Sequence, residues 1–394
     1  MKLFLKILLG FILLIALAIG ILWFAAKQSN KPGPPADPLT SLDDAGLKAA
    51  IDGIAAERKL VGMAAKVMVG GDVIAQAVTG WRTKDEQTAL QLDDLYHMGS
   101  IGKSMSATAI ARLVEAGAMS WDDTLGSRLS DMEMDAAWAD VTLSQLLTHT
   151  ASIPRGPISG MINQVSEPVR LAEVRREMAA TLLSEPPRVA PGSAFAYSNE
   201  GFMLASLMAE EATGEHWETI IRTQLAAPLS MDRLGFGAPT GEDTAEVPWG
   251  HRKLGPAKIA ADPSEAADNP PWMAAAGTMH MGLDDLLSYA QAHLDAGQSS
   301  QAILSPATFE RLHTPDMNDY AYGWVVQSRD LGDGPEPVIW HNGSNTMWYA
   351  LLVLLPDRNA AITLVTNDGS QLSLTQRRFD AFAMEIAEAI STRG

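Results

Sequence analysis

Ser100-Ile101-Gly102-Lys103 puts a hydroxyl and an amine three residues apart at the head of a stretch with helical periodicity. Side chains at that spacing share a helix face with Cβ atoms about 5 to 6 Å apart, so the amine can reach the hydroxyl. Serine is a poor nucleophile until a base takes its proton. The first N–H groups of a helix lack intrahelical partners, and its positive dipole end suits a developing oxyanion and eases deprotonation of a nearby ammonium. The structural alternative is an N-cap serine followed by a solvated lysine.

Tyr197-Ser198-Asn199 follows a loop-like stretch that opens with Pro191-Gly192-Ser193. A phenol with a reference pKa of about 10 becomes a useful proton carrier beside a cation such as Lys103. The Asn199 amide can bond substrate or lysine, although alone this triplet reads as a turn. His341-Asn342-Gly343-Ser344 sits between two apolar runs. Its glycine lets a substrate backbone approach a strand edge, and its imidazole can assist proton transfer or bind an anionic group. A structural histidine is the alternative there.

The elements that must position these residues can be read from periodicity. Ser41 and Asp43 precede a helical stretch ending near Lys59, with Leu47, Ile51 and Ile54 on one face. Residues 63–69 and 73–79 are β-rich runs around Gly70-Gly71, the composition of a two-residue hairpin turn. Residues 100–116 read as a helix, and further helices are expected at 144–149, 202–213, 217–225, 284–294 and 374–390. Strand signals return at 322–327, 338–340, 347–355 and 360–366, separated by the turns Gly332-Asp333-Gly334 and Pro356-Asp357-Arg358. The expected fold class is α+β: one antiparallel sheet assembled from N- and C-terminal segments and flanked by helices, with a mostly helical region inserted between them. Its sheet part would be 41–99 and 316–394, and its helical part 100–315.

The chain has 394 residues, beyond the roughly 250 at which single cores stop growing, so a two-part architecture is expected. Lysine and arginine number 29 against 47 acidic residues, a net charge of −18. The first 31 residues hold four lysines and no acid, leaving 25 basic against 47 acidic residues, or −22, for the remainder. Such a field argues against nucleic acid as a partner. With no cysteine there is neither a disulfide framework nor a thiol nucleophile, and the eight histidines form no H-E-x-x-H zinc pair. No cofactor is expected.

Residues 7–26 run 20 positions without a charge, about the length of a membrane-crossing helix. Cleavage after Ala25 or Ala26 would place Trp23 or Phe24 at the −3 position, so an uncleaved anchor (1–27) is expected. Lysines flank both ends and barely decide orientation. The expectation is an N-terminus inside, with the domain outside the cytoplasm. The proline-rich segment 28–40 reads as a semi-rigid linker to a domain over 41–394.

In their order along the chain, the serine-x-x-lysine, tyrosine-x-asparagine and histidine-x-glycine sets resemble the serine hydrolases of the class C β-lactamase and penicillin-binding family. The segment Val141-Thr142-Leu143-Ser144-Gln145-Leu146-Leu147-Thr148-His149-Thr150 looks like that family's stretch after the nucleophile helix, with Ala151-Ser152 in place of its usual serine-glycine. Pro191-Gly192-Ser193, Ala276-Gly277-Thr278 and Tyr322-Gly323-Trp324 also match, and the resemblance covers about 41–390. It implies Ser100 as the acylated nucleophile, Lys103 and Tyr197 as one coupled proton-transfer unit, Asn199 as the holder of the substrate amide and His341 at the third-motif position. It also implies an oxyanion hole of the Ser100 and Ser344 backbone N–H groups, with Gly343 beside the substrate. Typical β-lactamases carry lysine where this chain has His341. A mostly neutral imidazole attracts a β-lactam carboxylate less, which shifts the expected substrate toward a small ester, or a peptide or amide of D-alanyl type. A β-lactam-hydrolysing enzyme is the alternative.

Two other readings compete. Gly99-Ser100-Ile101-Gly102-Lys103-Ser104 looks like a phosphate-binding loop, but the first glycine of that pattern would fall at His97. A non-catalytic penicillin-binding sensor would use the same serine to trap ligand. With about six residues ahead of the anchor, it would need a separate output partner.

Overall fold

The computed structural model describes residues 33–153, 168–239, 247–255, 257–262, 268–299 and 302–391. The apolar run at 7–26 lies outside them. Among the described residues no helix is long and apolar enough to cross a membrane.

Helix α1 (Asp44–Arg58) starts where the Asp43 carboxylate accepts the Gly46 N–H at 2.8 Å and stops at Lys59, which turns left-handed at φ 53°. Two strands follow, β1 (Gly62–Val69) and β2 (Asp72–Gly80). They are joined by Gly70 and Gly71 at φ 61° and 89°, the positive values a tight hairpin turn requires. The C-terminal strands are β3 (Val325–Asp330), β4 (Pro335–Gly343), β5 (Tyr349–Leu355) and β6 (Ala360–Thr366). They complete a six-stranded antiparallel sheet in the order β2-β1-β6-β5-β4-β3. The two ends of the chain meet in the β1–β6 ladder, from Met63 opposite Thr366 to Val69 opposite Ala360.

Alternation along the strands separates two cores. On one face Val67, Leu351, Val353 and Ile362 pack with Leu47 and Ile51 of α1 and with Phe379, Phe382 and Ile386 of a closing helix at Leu372–Ser391. On the other, Met68, Ile339, Leu352 and Val365 join the helical region. Residues 33–40 lie against the first layer: Gly33 N–H donates to the Glu57 carbonyl and Ala36 N–H to its carboxylate.

The helical region is built around α2 (Gly102–Glu115) and α3 (Asn199–Thr213), whose N-terminal halves are buried on nearly every side. Buried hydroxyls in α2 need partners, and they find backbone carbonyls: Ser104 bonds Ile101, Ser106 bonds Ala275 and Thr108 bonds Ser104.

Three local expectations differ from the structure. The strand read at 322–327 begins at Val325, because Gly323 takes φ 79° and Tyr322 turns its hydroxyl to Ser144. The stretch read as a helix from 100 begins as a 3-10 turn at Gly99–Ile101. Within 100–315, short strands at Gly235–Phe236, Gly250–Leu254, Ala257–Ala261 and Met279–Met281 interrupt the helices. Such strands are too brief to show an alternating pattern.

Candidate active site

Ser100 occupies the tight turn that leads into α2, at the end of that helix where N–H groups are free. Three residues on, Lys103 is fully buried, with Nζ 3.1 Å from Ser100 Oγ, 2.7 Å from Asn199 Oδ1 and 2.8 Å from the Ala276 carbonyl. All three neighbours are uncharged. Burial pushes its pKa down to about 7, opposed by the more distant Glu200 carboxylate. An uncharged amine has two hydrogens and one lone pair. The two shorter contacts, to oxygens that can only accept, take the hydrogens, which leaves the lone pair facing the Ser100 hydroxyl. The amine is thereby placed to receive that proton.

Asn199 is the first residue of α3, capped by Ser198, whose hydroxyl accepts the Gly201 N–H. Its side-chain oxygen is committed to Lys103, so the residue expected to hold a substrate amide also orients the lysine amine. The Tyr197 ring lies over Lys103, with Nζ 4.8 Å from its centroid.

The loop carrying Tyr197 is tied down by His149, a residue quoted above only as part of a longer match. His149 Nδ1 accepts the Ser198 N–H at 3.2 Å, its carbonyl accepts the Ala196 N–H at 2.7 Å, and its ring packs 4.3 Å from that of Tyr197. Burial, with Lys103 and His341 adding to it, holds its pKa well below the usual histidine value.

His341 is on β4, opposite Leu352 of β5, and alternation turns it and Ile339 toward the helical region while Trp340 faces the other core. Its Nδ1 lies beside the Asn342 carbonyl and must carry the ring proton, leaving Nε2 to accept from the Tyr320 hydroxyl at 3.2 Å. Burial first, and then the charge of Lys103, push its pKa down to about 3. The imidazole is uncharged and both nitrogens are engaged, so it offers no cation to a carboxylate. Tyr320 was not singled out by sequence reasoning, although it lies two residues before the matched Tyr322-Gly323-Trp324.

Two backbones cross beside Ser100 at a distance only glycine permits. A Cβ on Gly99 would lie 2.2 Å from Ser344 N, and one on Gly343 would lie 2.6 Å from Ser100 N. The amides of Ser100 and Ser344 therefore share one neighbourhood, where a pair of N–H donors suits an oxyanion. The Ser344 hydroxyl donates to the Trp348 carbonyl and closes a turn.

Ser100, Tyr197, Tyr320, His341, Gly343 and Ser344 line one cleft of about 290 Å³, together with Phe195, Asn318 and Tyr349. Among the described residues lining it, none carries a formal charge. Six of the seven expected residues reach this cleft or its base: Ser100, Tyr197, His341, Gly343 and Ser344 as walls, and Lys103 beneath Ser100. The seventh, Asn199, stands behind them on the lysine.

The family described as Beta-lactamase matches residues 47–384. Protein flp of Staphylococcus aureus (strain COL) is 21% identical over 310 residues, 77% of this chain, which spans only 59% of that relative's length. Penicillin-binding protein 4 of Amycolatopsis lactamdurans is 23% identical over 364 residues, covering 88% of this chain and 91% of that one. Among solved structures, the D-amino acid amidase from Ochrobactrum anthropi SV3, complexed with L-phenylalanine amide, has the same fold. Its TM-score is 0.69 at 21% identity, over 87% of this chain and 96% of that one. The chain belongs to the family described as Beta-lactamase.

Proposed function

We propose that this hydrolase forms an acyl-enzyme on Ser100 and acts on a small ester, or on a peptide or amide of D-alanyl type. The observation that carries the reading is the buried Lys103 amine, 3.1 Å from Ser100 Oγ and with a pKa of about 7. Near neutral pH about half of such amines are free bases, so no further base is needed. Lys103 takes the hydroxyl proton as Oγ bonds to the substrate carbonyl carbon, and the oxyanion forms against the Ser100 and Ser344 N–H groups. Collapse breaks the bond to the leaving alcohol or amine, which takes a proton from the Lys103–Tyr197 unit. Water then adds to the acyl carbon, giving its proton to the same unit, and the acid leaves as Ser100 is restored.

Substrate ranking follows from charge. The uncharged His341 and the charge-free described lining favour uncharged acyl donors over a β-lactam bearing a carboxylate. The relatives above include a penicillin-binding protein and a D-amino acid amidase, which keeps amides within the class. We place the domain outside the cytoplasmic membrane, held by the apolar segment at 7–26.

A panel of a nitrophenyl ester, a D-alanyl peptide and a cephalosporin, assayed across pH, tests the ranking. The expected order of kcat/KM puts the ester or the peptide first. A strong preference for the cephalosporin overturns it.

A further inference from the structure

Asp268 is a carboxylate that the mechanism above does not use, with its side chain only 10% exposed. On one side its Oδ1 lies 2.6 Å from Nε2 of the wholly buried His97. His97 Nδ1 in turn accepts the N–H of Gly99, the residue before the nucleophile, at 3.1 Å. With Nδ1 accepting, Nε2 carries a ring proton and faces the carboxylate, although it is not aligned on that oxygen as a hydrogen bond. On the other side the same Oδ1 accepts from Asn345 Nδ2 at 3.0 Å. Asn345 Oδ1 accepts the N–H groups of Met347 and Trp348, which ties up the turn that begins at Ser344. Trp348 closes the circuit by stacking on His97 with ring centroids 5.7 Å apart. The neighbouring Asn269 donates to the Gly277 carbonyl at 2.7 Å, and Gly277 packs against the Gly99–Ser100 peptide.

One carboxylate thus touches both segments whose amides face the cleft beside Ser100. We propose that Asp268 is a positioning residue for the oxyanion hole, holding the Gly99–Ser100 turn through His97 and the Ser344–Trp348 turn through Asn345. This rests on the reading of Ser100 as nucleophile and of the two amides as anion donors. Neither segment lies in a long regular element at that point, so their separation is fixed by such contacts. A displacement on the scale of 1 Å costs about 100-fold in a positioned reaction. The charge of Asp268 by itself would oppose a nearby oxyanion. Positioning and bare Coulomb effects therefore have opposite signs on removal of the carboxylate.

The test compares full-length protein in detergent with Asp268→Ala, Asp268→Asn and Asn345→Ala. The readouts are kcat and KM for a nitrophenyl ester, affinity for phenylboronic acid, whose tetrahedral adduct on Ser100 is an anion, and the thermal midpoint. For Asp268→Ala we expect kcat to fall about 10- to 100-fold with KM little changed, and boronate affinity to fall in parallel. Asp268→Asn keeps an acceptor oxygen and should recover part of both. Asn345→Ala cuts one arm alone, so it carries the test if Asp268→Ala does not fold, and it should show a smaller loss of the same kind. An unchanged or raised kcat with unchanged boronate affinity in Asp268→Asn and Asn345→Ala overturns the proposal. Ester turnover and boronate binding that persist in Ser100→Ala would instead defeat the underlying reading, whatever the Asp268 variants do.

Discussion

Lys103 and Ser100 face each other across 3.1 Å at the bottom of the cleft, and the lysine's other two close contacts are to oxygens that can only accept protons. The geometry assigns the amine lone pair to the serine. The imidazole of His341, by contrast, has its Nε2 bound to the Tyr320 hydroxyl and carries no charge at neutral pH.

The first prediction concerns pH. Lys103 must lose its proton to act, so kcat/KM for an uncharged ester should rise through about 7 and level off above it. With its pKa near 3, His341 should add no limb near 6.5. His341→Gln should therefore keep the ascending limb at its place, whatever it does to the rate. A rate–pH profile flat from pH 5 to 9 would contradict this.

Stability should carry the same signature. The folded-state pKa of Lys103 is depressed, so between about 7 and its unfolded value of about 10.4 the unfolded chain binds the extra proton and stability rises with pH. Lys103→Met has no such proton. Its thermal midpoint relative to the parent should improve as pH is lowered from 10 to 7 and change no further below that, the underlying stability difference spanning on the order of 5 kcal/mol. The lost bonds to Asn199 and Ala276 add an offset that does not depend on pH. A midpoint difference that stays constant from pH 6 to 10 would count against a buried, easily deprotonated lysine.

The periodic parts of this fold were open to sequence reasoning because they have one apolar face. Leu47, Ile51 and Ile54 mark α1, and the uninterrupted runs of β5 and β6 mark strands buried on both faces. Ser100, Lys103 and His341 were legible as residue types in sequence order. Their convergence was not, since Lys103 meets Asn199 across 96 positions and Ala276 across 173. Tyr320 and His149 escaped notice because their roles consist of contacts with residues distant in sequence, His341 for one and the Ala196–Ser198 loop for the other, that no local pattern announces. The 3-10 turn under Ser100 was read as ordinary helix, since the left-handed Gly99 that sets it, at φ 51°, is demanded by the approach of Ser344 from another strand end.

Specificity should respond to charge at the third motif. His341→Lys places an ammonium where the uncharged ring now sits, and a carboxylate-bearing cephalosporin should gain on an uncharged ester by roughly tenfold in the ratio of kcat/KM values, the effect of about 1.4 kcal/mol. Steady-state rates for both substrates in parent and variant measure this. A ratio that moves toward the ester would show that His341 does not set carboxylate discrimination.

In the proposed reaction Ser100 Oγ is the atom acylated. Incubating the full-length protein with a fluorophosphonate and mapping the adduct by peptide mass spectrometry tests it most directly. We expect a single adduct on the peptide containing Ser100, formed faster as pH rises through about 7 and absent in Ser100→Ala. An adduct on another residue, or labelling that persists undiminished in Ser100→Ala, would contradict it.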